Sequence, residues 1–120
     1  DLTKELIDFH YKYPEADYWS FKNFKNTPAI ITHFGFFVEI VTLNALTITE
    51  NSTNKFIYKE HVTNYIYKNK QKFNLKLKFM PRYLNHRDDI RFTIDDDTDF
   101  STLKDVYKYY INNNCNSDDV

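Results

Sequence analysis

The stretch Phe73-Asn74-Leu75-Lys76-Leu77-Lys78-Phe79 alternates apolar and polar residues without a break. Side chains of a strand point alternately to its two faces, so this reads as a half-buried strand over 73–79. Phe73, Leu75, Leu77 and Phe79 face inward in that reading, and Lys76 and Lys78 face outward. Downstream, Ile90, Phe92 and Ile94 alternate with Arg91 and Thr93, which predicts a partner strand over 90–95. The connection contains Pro81, and the two strands read as an antiparallel hairpin, 73–79/90–95, with a long basic tip.

Upstream, Ile30, Phe34, Phe36, Val38 and Ile40 share one phase among many β-branched and aromatic residues. They predict a long strand over 29–42, which residues 43–49 extend or follow with a short strand. Tyr58, Val62, Tyr65, Ile66 and Asn69 recur at helical spacing and predict a helix over 57–71. A first helix over 2–13 carries Leu2, Leu6, Ile7 and Phe9, and Pro14 ends it. A last helix over 100–112 would bury Leu103, Val106, Tyr107, Tyr110 and Ile111, with Asp99 or Ser101 as its N-cap. Residues 13–28 read as an irregular aromatic segment, and 113–120 as a frayed polar tail. The expected fold is therefore one compact α+β domain over 1–120, with three helices on a mainly antiparallel sheet.

Ten Tyr and eleven Phe in 120 residues supply a large apolar payload, so a real core is expected at this length. A single Gly rules out a glycine-rich phosphate loop. A single Cys, Cys115, rules out an intrachain disulfide and points to a reducing, intracellular setting, cytoplasmic or nuclear. The apolar run over 29–41 is short and interrupted by Thr32, His33 and Glu39, so no membrane span and no membrane partner are expected. The excess of Asn, Lys, Ile, Tyr and Phe fits an A/T-rich genome.

Charge is sorted into blocks. Residues 55–91 hold ten Lys or Arg against Glu60, Asp88 and Asp89, while both flanking blocks are acidic and the whole chain is at -1. Such a basic block meets an anionic partner or is solvated. Lys68, Lys70, Lys76, Lys78, Arg82, Arg87 and Arg91, with Tyr83 and His86 among them, are the candidate anion-binding set. Cations interleaved with aromatics neutralise phosphates and stack on bases, which makes nucleic acid the first partner to consider. Helix, strand, basic tip and strand in this order resemble the second half of a winged-helix module, in which the tip is the wing.

The second candidate surface is the aromatic segment 13–24, with Tyr13, Tyr18, Trp19, Phe21 and Phe24 as docking residues for a protein partner. A third, enzymatic reading pairs His86 with Asp88 or Asp89 as a small hydrolase or nuclease. No cofactor and no metal site are expected. The run Asp95-Asp96-Asp97-Thr98-Asp99 lacks the Gly and final Glu of a calcium loop, and it suits the start of a helix. Ile94-Asp95-Asp96-Asp97-Thr98-Asp99-Phe100 resembles a strand-turn-strand stretch of single-strand-binding OB folds, with Asp97 and Asp99 where that family has glycines. Tyr58-Lys59-Glu60-His61-Val62-Thr63-Asn64-Tyr65-Ile66 resembles the second helix of SWIB-type chromatin modules, a compact helical fold that the two strands do not suit. The leading expectation is a non-catalytic domain whose basic hairpin face binds an anionic partner. The alternative is a protein-interaction subunit of a viral or organellar assembly.

Overall fold

A computed structural model describes residues 1–113. The expected tail over 113–120 therefore falls, but for Asn113, outside the described residues. The architecture is α+β: five helices and a small mixed sheet whose three strands run in the order β2-β1-β3.

Helix α1, Leu2–Lys12, starts where the Asp1 carboxylate accepts from the amides of Thr3 and Lys4. It buries Leu6 completely and stops ahead of Pro14, as Pro chemistry dictates. Strand β1, Tyr18–Lys22, is the centre of the molecule. It pairs antiparallel with β2, Ile40–Val41, and parallel with β3, Leu75–Phe79. Both of its faces are covered, which explains why Tyr18, Trp19, Ser20 and Phe21 form an unbroken buried run with no alternation. Trp19 and Phe21 enter one core with Leu6, Phe34, Phe37, Met80 and Leu84. Tyr18 enters the other with Ala45, Tyr65, Ile66, Tyr67 and Phe73. Leu75 and Leu77 of β3 pack against that second core, as their period-two spacing predicts, but Phe79, expected inward with them, is exposed at the end of the strand.

The expected hairpin is absent. A strand does form within 73–79, over Leu75–Phe79, but its partner is the parallel β1 and not residues 90–95, which run as irregular chain. The latter are tied to the loop by the Phe92 N–H, which donates to the His33 carbonyl at 3.1 Å. The long strand over 29–42 is likewise replaced by a 3-10 turn, Ala29–Ile31, a loop and the two-residue β2. Within that loop Phe34 and Phe37 are buried while Phe36 is exposed, so the inward residues are three apart instead of two. Gly35 makes the turn possible with φ +77°, and a Cβ there would lie 2.6 Å from the Phe92 carbonyl carbon.

Residues 43–49 are helical and not a strand extension. Helix α2, Leu43–Ser52, is capped by Thr42, whose hydroxyl accepts from the Ala45 amide, and it buries Ala45 and Thr49 one turn apart. Packing against the second core overrides the β-branched composition. The helix over 57–71 is two short ones, α3 (Phe56–Glu60) and α4 (Asn64–Lys68). The chain turns between them where the Thr63 hydroxyl donates to Glu39 at 3.0 Å.

Helix α5, Asp97–Asn112, starts at Asp96, whose carboxylate accepts from the amides of Thr98 and Asp99. Asp99 and Ser101 are therefore inside the helix and not its cap. Contrary to the sequence pattern, α5 buries none of its described residues: Val106, Tyr107 and Ile111 are exposed and Leu103 is half-buried. Among the described residues no helix is long and apolar enough to cross a membrane.

Candidate functional site

Strand β3 holds Lys76 and Lys78 on one face, as its alternation requires, but that face is not open. Helix α1 and its exit lie over it, so Lys78 reaches Glu5 at 2.6 Å and Lys76 reaches Glu15 at 3.5 Å. Lys76 also stands 5.0 Å from the centre of the Tyr13 ring. Each lysine is half-buried with a carboxylate partner, a pairing of modest worth that nevertheless removes free positive charge.

Arg87 and Arg91 are engaged in the same way. Arg87 forms a two-pronged bond with Asp89, both contacts at 2.7 Å. Arg91 is a clamp. Its Nε and Nη2 bond the two Asp99 oxygens at 3.0 Å, Nη2 also meets Asp95 at 2.7 Å, and Nη1 meets His33 Nδ1 at 2.7 Å. The Arg91 hydrogen bonds, joined by the Asp95 amide, hold the Asp99 carboxyl down at about 2. The acidic run thus caps α5 through Asp96 and ties it to the body through Asp99. Among the described residues no group of three or more His, Cys, Asp or Glu is arranged around a possible metal ion.

Of the basic candidates, Lys68, Lys70 and Arg82 have no carboxylate partner among the described residues and are exposed. Tyr83 is also exposed. His86 sits at a positive φ of 63° beside Asp88, and both line a crevice of only about 20 Å³. Asp89 is held by Arg87, so of the two acids considered with His86 only Asp88 shares that crevice with it. The structure does bring together a different basic group. A groove of about 520 Å³ follows β3 at Leu75, Lys76 and Leu77, with Lys22 and Lys70 above it and the rings of Phe9 and Tyr13 at its side. No carboxylate lines it.

The aromatic docking segment does not survive as a surface. Tyr18 and Phe21 are fully buried and Trp19 is 1% exposed, its indole N–H donating to the Tyr13 carbonyl at 2.9 Å. These three hold up the sheet. Phe24 remains exposed and stacks on Phe79, ring centres 5.0 Å apart, and Tyr13 packs edge-on against Phe9. Exposed aromatics occur singly at Tyr11, Phe56 and Tyr83, and in a row on α5. There Phe100, Leu103, Tyr107 and Ile111 follow one stripe at helical spacing, and Tyr107 is 64% exposed.

Sequence reasoning missed a polar network on the second core. The Tyr18 hydroxyl donates to one oxygen of Glu39, and the Thr63 hydroxyl donates to the other. Burial pushes the Glu39 carboxyl above its ordinary range, partly offset by those two bonds. Burial and the neighbouring Glu39 charge push the Tyr18 phenol up as well. The available signal was Glu39 itself, the one carboxylate in an apolar run.

No family model matches the chain, and no solved structure matches it significantly. The chain is similar to an uncharacterized protein of Methanocaldococcus jannaschii, 33% identical over 106 residues. That alignment covers 88% of this chain and 41% of the relative, so the chain spans about two fifths of the length of the relative it matches.

Proposed function

We propose that this domain is a non-catalytic protein-interaction module, the part of a larger assembly that docks through helix α5. The observation that carries the reading is the apolar stripe Phe100, Leu103, Tyr107 and Ile111, on a helix with no buried residue and no place in either core. Contiguous exposed apolar surface on a stable helix is costly in water unless another surface covers it. Capping by Asp96 and clamping by Arg91 present that stripe in a defined direction. The relative also supports it, since there the similar segment is accompanied by more than its own length of further chain. The test is photo-crosslinking in cells from benzoylphenylalanine placed at Tyr107, with Lys25 as the control position. A discrete cross-linked protein from position 107 that disappears with Ile111→Lys supports the reading. Equal products from both positions, or none, overturn it.

A second reading is favoured by the groove along β3. Lys22, Lys70 and Lys76 beside Phe9 and Tyr13 combine phosphate neutralisation with ring stacking, which suits a single-stranded nucleic acid. With Lys76 already paired to Glu15, Lys22 and Lys70 neutralise two phosphates, and log affinity should fall against log salt with a slope of about -1.4. Lys70→Glu should weaken binding of every sequence alike, because this lysine would touch backbone only. Anisotropy that does not change with oligonucleotide at low salt would remove this reading and leave the interaction module.

A further inference from the structure

Glu39 ends the loop that follows the Ala29–Ile31 turn, and folding places it against the bend between α3 and α4. A cavity of about 450 Å³ opens there, within the size range of small-molecule sites. Its apolar walls are Ile30, Ile31 and Val62, and its charged groups are the carboxylates of Glu39 and Glu60, with His61 beside them. No Lys or Arg lines it, so nothing of opposite sign answers the two acids. Asn64 lines the same cavity. It is 9% exposed, and its side-chain oxygen is buried without a hydrogen-bond partner. A buried acceptor of that kind weakens the fold unless a donor reaches it from elsewhere. The Tyr67 ring completes the wall, and an aromatic face attracts a cation.

Two acids with no Lys or Arg in the lining, an aromatic residue and an apolar wall together favour a cationic ligand. Glu39, whose oxygens each accept one hydroxyl, keeps further lone pairs for it. We propose that this cavity binds a small organic cation, its primary ammonium taken by the Glu39 and Glu60 carboxylates and its alkyl part lying on Ile30, Ile31 and Val62. An ammonium has three donors and no acceptor, which suits a lining whose acids offer only acceptors. At the buried Glu39 carboxylate an ammonium makes a charge-assisted bond stronger than a neutral one, while Glu60 adds its charge from the exposed rim. The raised Glu39 titration agrees with this, since a buried acid without a cation resists ionising. The site is independent of both surfaces discussed above, because neither α5 nor the β3 groove contributes a residue to it.

The experiment is a calorimetric titration of the whole chain with putrescine in phosphate buffer at low salt, with glucose as the neutral polyol and Asp88→Asn as a distant charge control. Saturable one-to-one binding of putrescine is expected, with no heat from glucose. Glu60→Gln, at an exposed position, should weaken binding by about tenfold or more through loss of a charge-assisted hydrogen bond, while Asp88→Asn should leave it unchanged. Glu39→Gln should weaken it at least as much in protein shown by circular dichroism to be folded. Should Glu39→Gln fail to fold, Glu60→Gln and Asp88→Asn decide alone. Glucose binding as tightly as putrescine, equal loss in Asp88→Asn, no loss in Glu60→Gln, or no putrescine binding at millimolar concentration would each overturn the proposal.

Discussion

Strand β1 and helix α5 are both dense in aromatic residues, and they meet opposite fates. Tyr18, Trp19 and Phe21 of β1 are buried, whereas Phe100, Tyr107 and Tyr109 of α5 are exposed. Composition does not separate them. The difference is in what surrounds each backbone. β1 has a hydrogen-bonded strand on each side and a core on each face, and α5 is attached at its start by side-chain charge and a cap. Aromatic density therefore marks a stretch that must be covered by something, without saying whether the cover lies within the same fold.

The sharpest way to break this contrast is to truncate one aromatic in each element. Trp19→Ala should cost roughly 3–5 kcal/mol of stability in a denaturant melt, because it empties the first core and removes the indole donor at 2.9 Å from the Tyr13 carbonyl. A cost below about 1 kcal/mol would mean that β1 is not the centre of the sheet.

Gly35→Ala should come next. The new Cβ would collide with the Phe92 backbone at 2.6 Å, in a left-handed conformation that alanine disfavours, so a loss of roughly 1–3 kcal/mol is expected in the same melt. The collision also separates residues 90–95 from the loop, so hydrogen exchange at the Phe92 amide should accelerate.

Asp96→Ala removes the N-cap and should cost α5 about 1 kcal/mol of local stability. Because α5 lends nothing to either core, the loss should show as helix fraying by NMR and leave the global melt nearly unmoved. Acid should reach the same end of the helix by another route. The Asp99 carboxyl titrates at about 2 in the fold and nearer its ordinary value when unfolded, so its contribution is complete above about pH 4 and is lost as pH falls towards 2. Amide exchange in the first turn of α5 should rise over that interval, and Arg91→Gln should abolish the dependence.

Tyr107→Ala sets the small end of the scale. In the isolated chain it should change stability by about 0.5 kcal/mol or less, since the ring is 64% exposed. A loss comparable to Trp19→Ala would show that α5 is packed within this fold, and the interaction reading would fall with it.

Much of the local structure was legible because local physics decides it. Asp1 and Pro14 bound α1, alternation marks β3, and an acidic run starts α5. The hairpin was misread because alternation reports only that one face is covered. It cannot say which strand lies alongside, and the parallel partner β1 is 57 residues away in sequence at Tyr18↔Leu75. β1 itself was unreadable as a strand because a strand covered on both faces has no alternation to show. The basic block was legible as charge, but its neutralisation was not. Glu5 and Glu15 belong to the acidic N-terminal block and reach Lys78 and Lys76 only through the fold.

By itself, then, the sequence determined the α+β class, the end of α1 before Pro14, the inward placing of Phe73, Leu75 and Leu77, and the presence of far more aromatic surface than its loops could hide. Only the tertiary structure decided which aromatic stretch became the core, which cations stayed free, and that Glu39 and Glu60 would line one cavity. The physical reason is one of range. Caps, turns and periodicity arise from residues within a few positions of one another, while burial and ion pairing depend on which distant segments the backbone brings into contact.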